Sequence, residues 1–211
     1  LPRIMGCDIA GEVAALGPCA QPPSREENVF ASGTARPCAQ GPALGSRVLV
    51  SPGRSCWECE HCLSGRDNLC ARYGILGANG GWGGYAEYAC VPSRSLLPIP
   101  AGIAFTDAAG FPLTFLTSWH MLISLARLKP GETLLVLGAG SGVGVAAIQI
   151  AKLAGARVIA VSTSKEKLKR AKALGADETL ASGPGLHRRV LQTTGGGVDA
   201  EIAAATIGAI S

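Results

Sequence analysis

Residues 133–144 read Thr-Leu-Leu-Val-Leu-Gly-Ala-Gly-Ser-Gly-Val-Gly, an apolar run that passes directly into a loop with four glycines. The run Thr133–Leu137 predicts a strand, and the Ala- and Ile-rich stretch after the loop predicts a helix that ends at about Leu153. Glycines at such a junction let the backbone approach a pyrophosphate closely, and a helix N-terminus favours its negative charge. The predicted dinucleotide contacts in this loop are Gly138, Gly140, Ser141, Gly142 and Val143.

The glycine pattern alone is weak evidence, because no frame gives a strict Gly-x-Gly-x-x-Gly. Counted from either of the first two glycines, the last position is Val. A glycine-rich structural turn therefore stays as the alternative. The surrounding sequence favours the cofactor loop, since a second strand is predicted at Arg157–Val161 and a second helix after it. Thr163 and Glu166 are predicted to form a capping box at the start of that helix, and Gly175 is predicted to end it. This alternation predicts βαβ units and a parallel sheet.

The end of the second predicted strand bears on the choice of cofactor. A site that prefers NAD has a carboxylate about 20 residues past the glycines to hold the ribose 2′-hydroxyl. This chain has Ser162 there, with Lys165 and Lys167 close by. Both lysines can equally be solvated helix residues. The absent carboxylate and the nearby positive charge favour a 2′-phosphate, so the sequence predicts NADP(H), with Ser162 and Lys167 as contacts.

Four cysteines form a compact motif in the first half of the chain. Cys56, Cys59, Cys62 and Cys70 follow the spacing C-x2-C-x2-C-x7-C. Four thiolates at these separations can surround one tetrahedral ion and leave no open position, which is typical of a structural zinc site. Disulfides remain the alternative, although cysteines three apart seldom pair with each other. The sequence predicts one zinc ion here, with His61 in the solvent rather than among the ligands.

Composition excludes several classes of protein. Hydrophobic residues make up 47% and charged residues 16%, enough to bury a core, and the 29 glycines follow no collagen period. The formal net charge of +4 is dispersed along the chain, and aromatic residues are only 5%, so no nucleic acid or membrane partner is expected. The longest apolar region, 103–126, contains Asp107, Pro112 and His120 and is not expected to span a membrane. Cysteines clustered for metal binding predict a cytoplasmic protein.

A change in composition near residues 105–113 separates a β-rich half from an α/β half. We predict an incomplete β-domain over residues 1–112, with a zinc lobe at about 52–76 and an irregular insertion at 18–46, and an incomplete dinucleotide-binding domain over 113–211. The β-rich half has predicted strands at Asp8–Leu16, Arg47–Ser51 and Gly84–Val91. A short helix capped by Thr106 is predicted next, followed by a longer one from Pro112 to about Ala126.

These features together resemble the medium-chain dehydrogenase/reductase superfamily, which includes the zinc-containing alcohol dehydrogenases and quinone reductases. Residues 2–13, around Gly6-Cys7-Asp8, are similar to its Gly-His-Glu segment, and the cysteine motif is similar to its structural zinc lobe. Gly84–Tyr88, Leu116–Trp119 and residues 130–161 resemble its next strand, its nicotinamide-contacting stretch and its cofactor loop. The resemblance implies an α/β chain: part of a GroES-like β-barrel followed by part of a Rossmann doubly wound parallel sheet.

The chain departs from this family where catalysis is concerned. In the alcohol dehydrogenases the His of the Gly-His-Glu segment ligates a catalytic zinc and the Glu lies near it, but this chain has Cys7 and Asp8 there. A second family ligand is a Cys just before the nicotinamide-contacting Thr, where this chain has Leu113 and Thr114. We therefore expect no catalytic zinc and interpret Cys7 as a small buried residue. A catalytic zinc with Cys7 as one ligand stays as the alternative, and no catalytic residue is named. Thr117 is the nicotinamide contact that the resemblance implies.

The expected function is an NADP(H)-dependent oxidoreductase that transfers hydride between nicotinamide and an alcohol or carbonyl, a quinone or an activated alkene. Its partners are then a small-molecule substrate and the cofactor. The alternative is a non-catalytic nucleotide-binding or interaction protein derived from the same family. The resemblance further implies that the chain is a fragment or a reduced homologue, since family strands before residue 1 and after residue 211 are absent, and that the full-length form is a homo-oligomer.

Overall fold

A computed structural model describes residues 4–17 and 42–203, and the chain divides into two compact units between Leu113 and Thr114. Most of the predicted insertion at 18–46 lies outside the described residues. The first unit is built on short antiparallel strands, and the second contains a parallel sheet with helices. The fold is therefore the predicted α/β arrangement of a partial barrel and a partial Rossmann domain.

The first unit contains a three-stranded antiparallel sheet and a two-stranded ribbon. The sheet has the order β1 (Ala10–Glu12), β2 (Arg47–Val50), β5 (Leu96–Pro98), and the ribbon pairs β3 (Gly53–Arg54) with β4 (Gly74–Ile75). A small core lies on one face of the sheet, where Leu49, Ile99 and Ala108 are buried. In the order of the sequence, the helix α1 (Glu60–Leu63) comes between β3 and β4.

Two strand predictions for this unit are wrong. The first strand covers Ala10–Glu12 instead of Asp8–Leu16, and Gly84–Val91 forms no strand. The second error arises because the alternation of residue types there does not correspond to alternating burial: most of these side chains are exposed. The backbone N–H groups of Gly84 and Tyr85 donate instead to carbonyls of Gly6 and Met5, at 2.8 and 2.9 Å.

A run of helices follows from Phe105. It consists of α2 (Phe105–Ala109), α3 (Phe111–Trp119) and a π-helical stretch, His120–Leu125. The predicted cap Thr106 lies inside α2, whose N-cap is Ala104 without a side-chain bond, so that prediction is wrong. The run Phe105–Leu125, with mean hydropathy 1.2, is long and apolar enough to cross a membrane by length and composition alone, a test that core helices of soluble proteins also pass. That this region does not span a membrane stays a prediction.

The second unit is a four-stranded parallel sheet with helices on both faces. The strand order is β8 (Glu178–Ala181), β7 (Arg157–Ser162), β6 (Thr133–Leu137), β9 (Ala200–Ala203). Successive strand residues point to opposite faces, so each strand contributes to two cores. One core packs the strands against α4 (Gly142–Leu153) and α5 (Lys165–Ala173), and the other packs them against α6 (Leu186–Thr194).

A partly exposed ion pair joins α4 to the sheet. Lys152 Nζ lies 2.9 and 3.0 Å from the two carboxylate oxygens of Asp177, and the Val158 N–H donates to that carboxylate at 2.7 Å. Burial favours the neutral carboxyl, but the Lys152 ammonium and the Val158 N–H outweigh it and hold the pKa of Asp177 below its ordinary value. Asp177 thus connects α4, β7 and the segment before β8.

The sequence predictions for this unit are accurate to within a residue or two. The strand Thr133–Leu137 has the predicted bounds, and β7 extends one residue further than predicted, to Ser162. The capping box at Thr163 is wrong by one position. Ser164 is the N-cap of α5, and its hydroxyl accepts the Lys167 N–H.

Candidate metal centre and dinucleotide site

The four cysteines of the predicted zinc motif lie together in the first unit. Their Sγ atoms are all within 4.8 Å of one another. Cys56 follows β3, Cys59 is the N-cap of α1, Cys62 lies in α1, and Cys70 follows a 3-10 turn at 67–69. Two of the sulfur–sulfur distances are 3.5 and 3.7 Å, close to the edge of about 3.8 Å for a ZnS4 tetrahedron with bonds of about 2.3 Å.

Backbone N–H groups surround this cluster and favour thiolate sulfur. The Cys59 N–H donates to Cys56 Sγ at 3.3 Å, and the Arg72 N–H donates to Cys70 Sγ at 3.4 Å. The backbone N–H of Glu58 lowers the pKa of Cys56 to about 6, whereas burial and the adjoining Cys59 sulfur raise the pKa of Cys62 to about 12. A central divalent cation would relieve this crowding of sulfurs, so the donor set fits one structural zinc ion.

The lobe around the cluster has little apolar packing of its own. Leu63 and Leu69 are 72% and 52% exposed, and no residue of α1 is buried. His61 does not join the cluster. Its Nδ1 is buried with no hydrogen-bond partner among the described residues, so the prediction that it is solvated does not hold for this atom. A metal that links four ligands would therefore be the main stabilising contact of the lobe.

The glycine loop of the second unit closes around Ser141. The Ser141 hydroxyl donates to the Gly138 carbonyl at 2.9 Å and accepts the Gly144 N–H at 3.1 Å, which makes Ser141 the N-cap of α4. A Cβ on Gly144 would lie 2.5 Å from the Gly138 oxygen, so this close approach requires glycine. Since the first N–H groups of a helix have no acceptor within it, the N-terminus of α4 can bind an anion.

The helix α3 packs against the start of α4 through a buried serine that the sequence analysis did not single out. Ser118 is fully buried, and its hydroxyl oxygen lies 2.8 Å from the Thr114 carbonyl oxygen and 3.0 Å from that of Val143. A polar residue within an apolar helix was the available signal. Thr117, predicted to contact nicotinamide, is the residue before Ser118 and is half-buried.

The two residues predicted to choose the cofactor both lie beside the glycine loop. Ser162 ends β7, is 7% exposed, and accepts the Ser164 N–H at 3.3 Å. The methylenes of Lys167 pack over Gly140, since a Cβ there would lie 2.3 Å from Lys167 Cδ. This contact brings an exposed lysine stem to the loop from the first turn of α5.

The first unit also has a cavity at the segment where the family's catalytic ligand is expected. Its volume is about 250 Å³, and it is lined by Met5, Gly6, Cys7, Asp8, Ile75, Leu76, Gly77, Ala78 and Tyr85. Cys7 and Asp8 are the metal-ligating residue types in this lining, and Cys7 Sγ lies 3.8 Å from Asp8 Oδ1. A catalytic zinc needs three protein ligands, and the described residues of this lining supply two of the ligating types, so this donor set does not by itself fit one.

Family models match both halves of the chain. The description "Alcohol dehydrogenase GroES-like domain" matches residues 1–101, and "Zinc-binding dehydrogenase" matches residues 142–210. A crystal structure of an NAD-dependent alcohol dehydrogenase superposes with a TM-score of 0.80 at 48% identity and covers 93% of this chain and 52% of that one.

Two curated relatives show the same likeness in sequence. The NAD-dependent alcohol dehydrogenase of Sulfolobus acidocaldarius is 34% identical over 203 residues, which is 96% of this chain and 53% of that protein. The L-galactonate-5-dehydrogenase of Escherichia coli is 34% identical over 163 residues, which is 77% of this chain and 41% of that protein. The chain thus spans about half the length of the curated relatives that it matches.

Proposed function

Because this chain belongs to the zinc-containing alcohol dehydrogenases of the medium-chain dehydrogenase/reductase superfamily, we propose that it transfers hydride between a nicotinamide dinucleotide and an alcohol or carbonyl compound. The observation that carries the proposal is the glycine loop, where Ser141 joins Gly138 to Gly144 at the start of α4. The substrate class extends, in this proposal, to quinones and activated alkenes.

The dinucleotide would be held by the loop and by the elements beside it. Its pyrophosphate would lie on the N–H groups at the start of α4, where glycine leaves room for close approach. The nicotinamide supplies or accepts the hydride when bound, and Thr117 on α3 is the residue proposed to contact it. Ser118, bonded to Thr114 and Val143, would hold Thr117 in a fixed relation to the loop.

The proposed zinc ion is structural. Cys56, Cys59, Cys62 and Cys70 would fill all four of its positions, which leaves none for substrate. Among the described residues, Cys7 and Asp8 alone do not complete a second metal site, so the proposed zinc has no catalytic role. Hydrogen bonds rather than a metal would then polarise a substrate carbonyl.

For the cofactor we propose NADP(H). Ser162 puts no negative charge at the end of β7. Its hydroxyl oxygen accepts a hydrogen bond from the Ser164 N–H, so the hydroxyl proton stays available for donation to a ribose phosphate. Lys167 already packs on the loop, so its ammonium can reach a ribose phosphate at small entropic cost. The names of two relatives favour NAD instead, which makes the comparison of the two cofactors an essential test.

The proposed function is tested by binding and turnover in the same preparation. We expect NADPH to bind with one site per chain, and a ketone or quinone to be reduced with loss of absorbance at the nicotinamide band. Binding without turnover across a panel of ketones, aldehydes, quinones and enones would favour the non-catalytic alternative. Absence of binding of either dinucleotide would refute both the oxidoreductase and the nucleotide-binding proposals.

A further inference from the structure

The zinc centre proposed for the first unit would carry a net negative charge, because four thiolates surround one divalent ion. The lobe over residues 52–76 contains three arginines and three acidic residues, so its other formal charges cancel. Whether the charge of the centre is compensated therefore depends on where these side chains lie relative to the four sulfurs. The arginines decide this, since they are the cations of the lobe that stay charged at every relevant pH.

Two of the three arginines make hydrogen bonds away from the cysteines. Arg54 Nη1 donates to the Gly80 carbonyl at 2.8 Å, and Arg66 Nε donates to the Ser64 hydroxyl at 3.3 Å. Neither of these bonds involves sulfur. The third arginine, Arg72, is therefore the candidate within this lobe for compensating the charge of the zinc centre.

Arg72 reaches the cysteine cluster with its backbone and with its side chain. Its backbone N–H donates to Cys70 Sγ at 3.4 Å. Its guanidinium pairs with the carboxylate of Glu58, which stands between Cys56 and Cys59 in the sequence. The bond to Glu58 first, and the bond to the Cys56 sulfur second, raise the pKa of Arg72 above its ordinary value. Arg72 thus connects the last ligand of the motif with the loop that carries the first two.

The two members of this ion pair act on the zinc centre with opposite sign. The Arg72 guanidinium attracts the negatively charged centre, and the Glu58 carboxylate repels it. Without the metal the lobe loses its main stabilising contact, and neither side chain is then held beside the four sulfurs. Both interactions therefore belong to the zinc-bound form, so each of them changes the affinity for zinc.

We propose that Arg72 compensates the charge of the zinc centre and thereby strengthens zinc binding, and that Glu58 limits this effect. The inference rests on the zinc ion proposed above and requires neither cofactor nor substrate. The side chains of Arg72 and Glu58 are 66% and 71% exposed, so solvent weakens both interactions. The expected change in the zinc dissociation constant is about threefold for each residue, as for one exposed charge pair.

Competition with a chromophoric zinc chelator at neutral pH measures this dissociation constant for the purified, zinc-loaded variants. Arg72→Gln should raise it about threefold, and Glu58→Gln should lower it about threefold. The double variant should lie close to wild type, because both opposing charges are gone. The differences should shrink in high salt, since added ions screen exposed charges. Arg66→Gln is the matched control, and we expect it to change the constant by less than about twofold.

The signs of these changes separate an electrostatic role from a merely structural one. If the pair only holds the lobe together, either single substitution raises the dissociation constant, and that result would overturn the proposal. Arg72→Lys keeps the charge and should stay within about twofold of wild type, whereas a loss equal to that of Arg72→Gln would also overturn it. Wild-type protein that binds no zinc would refute both this inference and the zinc assignment. Bound zinc with the same dissociation constant in wild type and Arg72→Gln would refute the inference alone.

Discussion

Gly144→Ala perturbs the dinucleotide loop at its tightest backbone contact. The added Cβ would lie 2.5 Å from the Gly138 oxygen and 2.9 Å from Ala139 Cα, and ordinary contact begins at 3.4 Å. The loop and the start of α4 must therefore separate by about 0.9 Å, since neither neighbour is a side chain that can rotate away. Overpacking of this kind costs about 1–3 kcal/mol of unfolding free energy.

The same separation should weaken dinucleotide binding. It lengthens the hydrogen bond from the Gly144 N–H to the Ser141 hydroxyl, and it moves the N–H groups at the start of α4 away from the pyrophosphate. Loss of one charge-assisted hydrogen bond, about 1.5–3 kcal/mol, raises the NADPH dissociation constant about tenfold to a hundredfold. Urea denaturation and calorimetric titration measure the two effects. Gly196→Ala is the matched control, because no atom lies within 4 Å of its Cβ position. Unchanged NADPH affinity in a destabilised Gly144→Ala protein would show that the loop is only a turn.

Three further changes test other parts of the account. Cys70→Ser should lower bound zinc from about one ion per chain to near zero and speed hydrogen exchange in the zinc lobe alone. The control Cys90→Ser should change neither quantity, and zinc retained by the Cys70→Ser protein would contradict the zinc assignment. Asp177→Asn should lower the unfolding free energy by about 0.5–1 kcal/mol at pH 7. Because the pKa of Asp177 is depressed in the folded chain, its stabilisation is present above the ordinary pKa of the carboxyl and is lost as the pH falls through its folded-state pKa. The difference in stability from wild type should therefore vanish in acid, and a difference that stays constant with pH would contradict this prediction. Ser162→Asp should weaken NADPH binding about tenfold and strengthen NADH binding, as measured by titration at fixed ionic strength; unchanged affinities would mean that this position does not contact the ribose.

The second unit was predictable because its signals are local. The strand Thr133–Leu137, the glycines and the apolar helix α4 each follow from a short window of sequence, and burial then agrees with the pattern. Gly84–Val91 shows the opposite case. Its alternating residue types are typical of a strand, but its backbone bonds to the segment around Gly6, nearly 80 residues away, and no short window contains that information.

The residues of the candidate sites also differ in whether a short window of sequence is enough to predict their placement. The spacing of the cysteines is enough to predict their convergence, since the lobe closes within a few turns. Ser118 was missed because its bond to the Val143 carbonyl spans 25 residues and depends on how α3 packs against α4. The cap of α5 was predicted one residue too early, at Thr163, because β7 extends to Ser162 and the helix therefore begins later, with Ser164 as its N-cap.

The most direct test of the account is transfer of deuterium from the nicotinamide. NADPH and NADH carrying deuterium at C4 on either face would be incubated, in separate reactions, with the protein and a neutral ketone, and the alcohol examined by mass spectrometry. We expect deuterium on the carbinol carbon from one face only, because a bound cofactor presents a single face to the substrate. Cofactor that binds at one site per chain but yields no labelled alcohol from either face, across the substrate panel, would contradict it.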